Sequence, residues 1–556
     1  MPLSLLQTCR TLSYLSWAQV LTRLERRLME RLFQSRFYIT NCLRPGHGLP
    51  ARHTPPDLWP GDKELGHLMS RGQIRLINHD ARLSQPMNWD PQDQSYLWRF
   101  SLHYFEWLAD LRACGKAELA RTLIADWLDR FAEPDELAWH PYPLSLRLYA
   151  WLRHSPFILD GADTVFAQRF WDSLDRQGRH LPRALESDIG GNHLIKNLKA
   201  LIACSLCLPG HEGGEERWLE ELLHQITRQI LPDGGHFERS PSYHKQVLAD
   251  LMDVSALLTE AKREIPEALS ATIAAMRTAF ALMLHPDGRM ALFNDGFMGQ
   301  KTMIEALGKL PKSPDSLPDT GYFRLSAKPK SKKAGSETVI LCDAGPVCPD
   351  ELPAHAHADV LSFEMSTGEH RLVVNCGTYA YQDPVWRPFL RSTPAHSTLC
   401  IDGINSAEVY SVFRVGRRPK TITAQRDGNA LTASHDGYRH LGLIHERTWD
   451  LINANRLEGR DVVRRISGKA PRFLAARFHL HPRVQPTLEE DGSVLLTFLD
   501  GGTWRFRATG ATVSIGDSVY APSFGHLYDT HKIKLEATMA ENQPECALAW
   551  CFEREV

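Results

Sequence analysis

The sequence predicts a multidomain protein in which a helical domain is followed by an antiparallel β domain. First, a chain of 556 residues exceeds the size of one ordinary domain. Second, apolar residues recur at spacings of three and four between about 90 and 310, whereas later segments have the pattern of short strands. Third, a stretch rich in Pro, Ser, Lys and Gly separates the two patterns at 311–337. We therefore expect three parts, 1–45, 46–315 and 316–556.

Residues 1–45 are predicted to form a basic amphipathic segment. Between 17 and 37 the spacing indicates a helix whose basic face carries Arg23, Arg26, Arg27, Arg31 and Arg36. This helix either docks with its basic face in water or makes peripheral contact with an anionic membrane. The sequence shows neither a signal-peptide core nor about 18 consecutive apolar residues. We therefore expect a cytoplasmic protein, with the periplasm as the alternative.

The region 46–315 contains the helical blocks. Gly or Pro lies at nearly every junction between blocks, which is typical of successive helical hairpins. The predicted helices span 96–113, 117–131, 143–153, 165–177, 194–207, 217–230, 243–262 and 266–284.

The region 316–556 contains the predicted strands, with turn residues between them. They span 338–342, 360–366, 371–375, 421–424, 473–481, 494–498, 503–509 and 547–552. Strands joined by short turns favour stacked antiparallel sheets. Ligand sites often lie where two domains meet, so we expect a cleft at the junction of the helical and β domains.

The composition excludes some classes of partner and favours others. With 64 basic and 66 acidic residues the net charge is −2, so no overall positive field indicates nucleic acid as a partner. The 25 histidines, 14 tryptophans and 14 tyrosines favour a carbohydrate-active or metal-using enzyme. The 11 cysteines are scattered, and the CxxC of Cys204 and Cys207 has no second pair. They indicate reduced thiols rather than a disulfide framework or a metal centre.

Two aromatic clusters suit either sugar stacking or core packing. The first is WRFSLHYF from Trp98, and the second is WHPYPLSLR from Trp139. Both mix aromatic rings with His and Arg at predicted helix starts, where they would line a groove or turn inward.

Three further clusters combine ionisable groups with residues that shape the backbone. In GGNHLIKN (190–197) the glycine pair allows close approach of a ligand, and Asn192 is either a helix cap or a carboxamide donor. DGGHFERSPSYH (233–244) is dense in polar groups before an apolar helix, which favours function over packing. The third cluster is HAHAD (355–359), with a further histidine about forty residues later; separately, Asn294-Asp295-Gly296 follows an apolar stretch and suits a turn. Histidine with carboxylate suits metal ligation or a water-facing loop.

Taken in order, these clusters and three other short motifs resemble the heparinase II/III-type polysaccharide lyases. The motifs are WRFSLHYF, WHPYPLSLRL, GGNHLIKNLKAL, DGGHFERSPSYH, LFNDG, HAHADVLSFEM, VVNCGTYAY, PAHSTLCIDG and RFHLHP, and they extend from about 98 to 482. The resemblance implies an N-terminal incomplete (α/α) toroid and a C-terminal antiparallel β-sandwich. It also implies β-elimination at C4 of a uronic acid, a reaction that needs a base for the C5 proton and an acid for O4.

The resemblance implies a role for each matching residue. Asn192, helped by His193, would neutralise the uronate carboxylate while the enolate-like state forms. When the C5 proton and O4 leave from one face, Tyr243 serves both steps; when they leave from opposite faces, His355 is the base and Tyr243 the acid. The expected substrate-binding residues are Trp98, His103, Tyr104, His140, Tyr142, Arg147, Glu238, Arg239 and Asn294.

The resemblance also indicates where a metal would bind. Some relatives hold a divalent ion at positions that match His357, Asn375 and His396. Asn375 stands where a carboxylate would bind a cation better, and a neutral amide is a poor zinc ligand. We expect that no cofactor is required and that any Zn or Ca ion is structural. Ser101 stands where the family pattern has Asn, which makes one substrate contact different.

The leading hypothesis is a bacterial lyase acting on an acidic, glycosaminoglycan-like polysaccharide. Relatives with a similar N-terminal helix accompany exopolysaccharide or capsule synthesis enzymes, which implies trimming of a self-made polymer. One alternative is a catalytically silent glycan-binding scaffold of a polysaccharide assembly system. Another is a glycoside hydrolase on the same toroid that uses Glu238 and Asp295. The sequence does not specify the sugar, the linkage or the oligomeric state.

Overall fold

The computed structural model describes residues 5–15, 17–43, 48–330, 336–499 and 502–555. A helical region is followed by an antiparallel β region, as the sequence predicts. Three helices come first: α1 (Leu5–Ser13), α2 (Trp17–Phe33) and α3 (Arg36–Asn41). Within the described ranges, no helix has the length and apolar character needed to cross a bilayer.

The helical region begins with a helix and a small hairpin, α4 (Lys63–Ser70), β1 (Gln73–Leu76) and β2 (His79–Arg82). The helices that follow are α5 (Tyr96–Leu102), α6 (Leu108–Ala113), α7 (Ala117–Arg130), α8 (Pro141–Leu159), α9 (Thr164–His180), α10 (Gly191–Cys207), α11 (Glu215–Gln229), α12 (Pro241–Glu260), α13 (Glu267–Leu282) and α14 (Lys301–Glu305). A 3₁₀ turn, Leu181–Arg183, follows α9.

These helices form two layers. Helices α8, α10 and α12 are buried on nearly all sides, and α10 contacts both of the others. Helices α9 and α11 bury one face and expose the opposite face to solvent, as expected for helices of an outer layer. The polar clusters of the sequence lie at the N-terminal ends of the inner helices. The first turns of α10 and α12 therefore carry the candidate residues Asn192 and Tyr243.

Two local features differ from the sequence prediction. The predicted helix 96–113 is divided into α5 and α6, because Phe105 adopts a φ of 59°, which an α-helix does not accommodate. The β1–β2 hairpin was not predicted. Its two-residue turn, Ile77-Asn78, has positive φ at both positions, and the four-residue strands are too short for a clear alternation.

The β region contains two large antiparallel sheets and a small hairpin. The strands of the nine-stranded sheet are β3 (Ser316–Leu317), β4 (Tyr322–Ala327), β5 (Thr338–Asp343), β6 (Phe363–Thr367), β7 (His370–Val374), β8 (Leu399–Ile401), β15 (Leu474–Leu480), β19 (Thr512–Ser523) and β20 (His526–Ala537). The hairpin is β9 (Val409–Tyr410) with β10 (Arg414–Val415). The eight-stranded sheet comprises β11 (Ile422–Asp427), β12 (Ala430–His435), β13 (Leu443–Asn453), β14 (Arg456–Arg465), β16 (Val484–Leu488), β17 (Val494–Phe498), β18 (Thr503–Thr509) and β21 (Glu545–Glu555).

The two large sheets share one hydrophobic core. Aromatic rings fill it, and Phe363 stacks on Trp550 with ring centroids 5.6 Å apart. The predicted strand 360–366 begins later, at Phe363, because the preceding loop turns through Leu361 at a φ of 60°. Outside the sheets lie a short helix, α15 (Trp386–Leu390), and the 3₁₀ turns Thr393–Ala395 and Arg439–Leu441.

Buried ionic contacts join the helical and β regions. The guanidinium of Arg239, just before α12, pairs with the Asp343 carboxylate at the end of β5. His285 Nε2 lies 2.9 Å from Glu364 Oε2 on β6, and Arg371 Nε donates to Asp287 Oδ2 over 2.9 Å. If one partner of such a pair were lost, the other would remain as an unpaired buried charge, which is costly. These contacts therefore fix the two regions against each other.

Candidate active site

The candidate catalytic residues lie where the helical region meets the loops that follow β5 and β7. Asn192 and His193 begin α10, and Tyr243 begins α12. His355 lies in the loop between β5 and β6, and Tyr381 lies in the loop after β7. The candidate site is therefore assembled across the junction of the two regions.

Tyr243 and His355 contact each other directly. Their rings stack with centroids 3.7 Å apart, and the Tyr243 hydroxyl lies 2.6 Å from the hydroxyl of Tyr381. Burial and the nearby Asp295 carboxylate raise the pKa of Tyr243, although the Tyr381 hydrogen bond acts in the opposite direction. Tyr243 is therefore protonated at neutral pH and suited to donate a proton.

Asp295 organises the histidine side of the site. Its carboxylate accepts hydrogen bonds from Arg387 Nη2 (2.9 Å), His355 Nδ1 (3.0 Å) and His357 Nε2 (2.9 Å). Burial alone opposes ionisation, but Arg387 and the two imidazoles outweigh it and hold the pKa of Asp295 well below its usual range. Asp295 is therefore a buried anion that fixes the imidazole orientations.

The contact with Asp295 selects one tautomer of His355. Because an ionised carboxylate only accepts hydrogen bonds, His355 Nδ1 carries a proton. The Nε2 atom lies 3.6 Å from Glu238 Oε2. An imidazole whose Nδ1 is held by a buried carboxylate is the arrangement of a general base.

The amide of Asn192 is engaged by Glu238. Asn192 Nδ2 donates to Glu238 Oε1 over 3.0 Å, and the backbone N–H of Asn192 donates to the same oxygen over 2.9 Å. Burial raises the pKa of Glu238, but His236, His355 and the Asn192 donors outweigh it, so the net shift is downward. The buried Oδ1 of Asn192 has no hydrogen-bond partner among the described residues. Thus Asn192 already binds one carboxylate, that of Glu238.

The glycines before Asn192 allow this contact. Gly190 and Gly191 have φ values of 69° and 56°, which favour glycine. A Cβ on Gly191 would lie 2.6 Å from Glu238 Oε1. The close approach anticipated for a ligand is therefore used here by a side chain of the protein itself.

His193 is the most accessible of the four predicted catalytic residues. Its Nδ1 lies 2.9 Å from Glu186 Oε1, and its ring packs on Tyr142 with centroids 4.3 Å apart. Burial raises the pKa of Glu186, but His193, with smaller contributions from His140 and Arg26, outweighs burial and lowers the pKa to about 2. Glu186 therefore orients the His193 ring as an anion.

An aromatic wall continues from His193 along the helical side. Tyr104 and Tyr142 pack edge to face at 5.6 Å, and both lie near enough to Tyr243 to interact with it electrostatically. His140 packs on Phe100 at 4.9 Å. The structure thus brings three predicted substrate-binding residues, Tyr104, Tyr142 and His140, to the side of the site where His193 lies.

Other predicted substrate-binding residues are core residues, contrary to that expectation. Trp98 Nε1 donates to the His79 carbonyl, and His103 accepts a hydrogen bond from Trp127 Nε1. Arg147 is fully buried, and its Nε donates to Gln177 Oε1 over 2.8 Å. The sequence could not distinguish these residues from groove residues, because aromatic rings beside His and Arg occur in both environments.

Two further predictions fall in the supporting structure. Arg239 is buried in its pair with Asp343, so its guanidinium holds the domain junction. Asn294 is also buried: its Nδ2 donates to the Arg239 carbonyl, and its Oδ1 accepts from the backbone N–H of His357. Asn294 adopts a φ of 53° and shapes the turn that presents Asp295. The hydroxyl of Ser101 bonds to the Leu97 carbonyl within α5.

The predicted metal ligands do not fit a metal ion as arranged. His357 Nδ1 lies 3.1 Å from His396 Nε2, a hydrogen-bond distance, and His357 Nε2 is engaged by Asp295. Asn375 Oδ1 accepts from the backbone N–H of Ser397. Among the described residues, no group of three or more His, Cys, Asp or Glu side chains is arranged to hold a metal.

Three site residues were not identified from the sequence. Tyr381 lies in the motif VVNCGTYAY, but nothing in the sequence indicates that this loop reaches Tyr243. Arg387 in α15 and Glu186 before α10 belong to none of the polar clusters. Arg387 and Glu186 are recognised only from the folded structure, because Arg387 is a buried charge that pairs with Asp295 and Glu186 is one that pairs with His193.

Two family profiles together cover most of the chain. The profile described as "Heparinase II/III N-terminus" matches residues 79–315, and that described as "Heparinase II/III-like, C-terminal" matches residues 309–550. FtsZ-localized protein C of Caulobacter vibrioides is 30% identical over 512 residues, which cover 85% of each chain. Heparin-sulfate lyase of Pedobacter heparinus is 23% identical over 76% of this chain and 68% of its own length.

Solved structures show the same fold at low sequence identity. A heparinase III structure superposes with a TM-score of 0.69 at 17% identity, covering 90% of this chain and 82% of the other. A mutant of the heparan sulfate lyase HepC from Pedobacter heparinus superposes with a TM-score of 0.62 at 19% identity, covering 92% and 86%. From the two profiles and the 30% identical relative, the chain belongs to the heparinase II/III family.

Proposed function

We propose that this protein is a polysaccharide lyase that cleaves a uronic-acid-containing acidic polysaccharide by β-elimination. The observation that carries the proposal is the contact of Tyr243 with His355 while Asp295 holds His355 Nδ1. A buried, protonated phenol beside an imidazole whose Nδ1 is held by Asp295 supplies one acid and one base. Family membership supports the same reaction class.

We assign the base to His355 and the acid to Tyr243. His355 Nε2 takes the C5 proton, the C5–H electrons form the C4=C5 double bond, and the C4–O4 bond breaks as Tyr243 protonates O4. Separate base and acid correspond to departure of the C5 proton and O4 from opposite faces of the sugar; on a substrate that loses both from one face, Tyr243 serves both steps. The hydrogen bond from Tyr381 stabilises the resulting phenolate.

The substrate carboxylate is assigned to the neighbourhood of Asn192 and His193. His193 is partly exposed and oriented by Glu186, so its imidazole is placed to contact the uronate carboxylate. Asn192 Nδ2 serves as the second donor when it exchanges Glu238 for the substrate. Neutralisation of this carboxylate favours removal of the adjacent C5 proton.

The hydrolase alternative receives less support from the carboxylates. A glycosidase acid must be protonated, but the net pKa shifts of Glu238 and Asp295 are both downward. His355 also lies between the two side chains and contacts both. Two ionised carboxylates joined by an imidazole suit orientation of that imidazole better than proton donation to a glycosidic oxygen.

The proposal is tested with a panel of acidic polysaccharides, including bacterial exopolysaccharides and glycosaminoglycans. Formation of the C4=C5 double bond conjugated to the carboxylate is followed by ultraviolet absorbance. Tyr243→Phe keeps the ring stack but removes the proton donor, so we expect kcat to fall at least about 100-fold with a smaller change in KM. The matched control is Tyr528→Phe, at an exposed tyrosine of β20. Full activity of Tyr243→Phe would overturn the assignment.

A second candidate function is supported by the relative with higher identity. FtsZ-localized protein C is 30% identical, compared with 23% for the heparin-sulfate lyase, and its name describes a location rather than a reaction. A protein that binds glycan without cleaving it would share this fold. In the polysaccharide assay, retention of the polymer without double-bond absorbance would identify such a protein, whereas new reducing ends without that absorbance would indicate a hydrolase.

A further inference from the structure

Helix α2 turns its polar side toward the rest of the protein. Arg26 Nη1 donates to Asp188 Oδ1 over 3.1 Å, and Arg26 Nη2 lies 3.0 Å from His140 Nε2. Gln19 Nε2 lies 3.4 Å from the Asp188 carbonyl and 3.3 Å from the Glu351 carbonyl, so α2 bridges the helical and β regions. A cavity of about 750 Å³ lies between α2 and the helical region. The inner face of α2 is thus held by these polar contacts along its length and by Met29 and Phe33, which pack against the core near its end.

The apolar face of α2 points into solvent. Five side chains are between 39% and 83% exposed: Trp17, Leu21, Leu24, Leu28 and Leu32. Their spacings of four, three, four and four place them on one stripe of the helix. A docked amphipathic helix normally buries this face against the core. The inverted orientation leaves an apolar surface without cover from the described residues, which marks an interaction site.

The charges beside this stripe favour an anionic partner. Arg27 and Arg31 are exposed, and each lies three positions after a leucine of the stripe. Glu30 Oε1 lies 3.3 Å from Arg26 Nε, so Glu30 is paired. Exposed Glu25 also lies beside the stripe, so the two arginines exceed the unpaired acid there by one charge. The stripe is continued beyond α2 by exposed Phe37 in α3.

We propose that α2 binds an anionic membrane surface, with the stripe inserted at the boundary between headgroups and acyl chains. Trp17 at the helix start suits the interfacial position of tryptophan, and Arg27 and Arg31 suit acidic headgroups. A second copy of the same helix is disfavoured, because it would place the arginines of both copies at one apolar interface. This surface does not depend on the proposed lyase activity.

Membrane binding in this orientation leaves the catalytic junction intact. The stripe is already exposed, so α2 keeps its contacts with Asp188, Glu351 and His140 when it inserts. Because α2 spans the helical and β regions, the bilayer would lie along the side of the molecule where His140 approaches the aromatic wall. The active site would then be held close to polymer at the membrane surface.

The test is co-sedimentation of the full chain with vesicles. Vesicles of phosphatidylcholine with phosphatidylglycerol are compared with vesicles of phosphatidylcholine alone. We expect preferential binding to the anionic vesicles and weaker binding as salt rises. The double variant Leu24→Asp/Leu28→Asp should lower the partition coefficient at least about tenfold, and Arg27→Gln/Arg31→Gln should remove the preference for phosphatidylglycerol.

The matched control is Val165→Asp/Leu488→Asp, which adds two aspartates at exposed apolar positions away from α2. It should bind vesicles like the wild-type protein, and thermal unfolding should show that all variants remain folded. Equal vesicle binding by the Leu24→Asp/Leu28→Asp variant would overturn the proposal. So would a wild-type protein that does not bind vesicles but forms a dimer that this variant abolishes in sedimentation velocity, because the stripe would then contact a second copy.

Discussion

Replacement of Asp295 by Asn tests the buried charge on which the site depends. Asp295 is fully buried and receives hydrogen bonds from Arg387, His355, His357 and Thr378. The amide removes the negative charge but leaves the buried Arg387 guanidinium without its ion partner. Breaking such a pair costs about 3–5 kcal/mol. We therefore expect the free energy of unfolding to fall by about that amount.

The stability change is measured by urea unfolding at neutral pH, followed by tryptophan fluorescence. The control is Asp80→Asn, which removes an exposed pair with Arg75 and should cost less than about 1 kcal/mol. Asp295→Asn/Arg387→Met removes both charges and should recover part of the lost stability, but no lyase activity, because His355 still lacks its carboxylate. A loss below about 1 kcal/mol for Asp295→Asn alone would refute the argument that this anion supports the site.

Three other changes give distinct outcomes. The folded-state pKa of Glu186 is about 2, below its ordinary 4.5, so its stabilisation is present above pH 4.5 and lost as pH falls toward 2. Glu186→Gln should remove about 3 kcal/mol at neutral pH and flatten stability over that interval, as measured by urea unfolding at several pH values. Tyr381→Phe removes the 2.6 Å contact with Tyr243, and we expect kcat/KM to fall about tenfold with unchanged vesicle binding. Burial raises the pKa of Cys207 to about 12, so a thiol reagent should modify exposed Cys9 promptly and Cys207 only after unfolding. Prompt modification of both thiols would contradict the burial.

The order of the two regions was predictable because their apolar periodicities differ. Spacings of three and four identify α8, α10 and α12, although the breaks inside such a block depend on single backbone angles, as at Phe105. Strands β17 and β18 have the predicted bounds, because a short apolar run is enclosed by turn residues on both sides. The β1–β2 hairpin was missed because four residues give too short a pattern.

The candidate site was less predictable than the fold. The motifs identified Asn192, Tyr243 and His355, which the structure brings together, but not Arg387 or Glu186. A buried ion pair joins residues distant in sequence, such as Asp295 and Arg387, so no local spacing reveals it. The sequence predicts that Glu238 contacts the substrate, whereas in the structure its carboxylate accepts a hydrogen bond from the Asn192 amide. The role expected for Asn192 therefore also depends on Glu238.

The division of the site between two regions has a consequence for biosynthesis. Tyr243 precedes β3, whereas His355 belongs to a loop whose sheet is completed by strands as late as β19 and β20. Domains generally fold in the order in which they leave the ribosome, so the helical region is available before the sheet that carries the base is closed. A nascent chain that ends before these strands therefore has Tyr243 without a folded loop to hold His355 against it. Under the proposed roles, the acid and the base meet in one folded site only after β19 and β20 have been made.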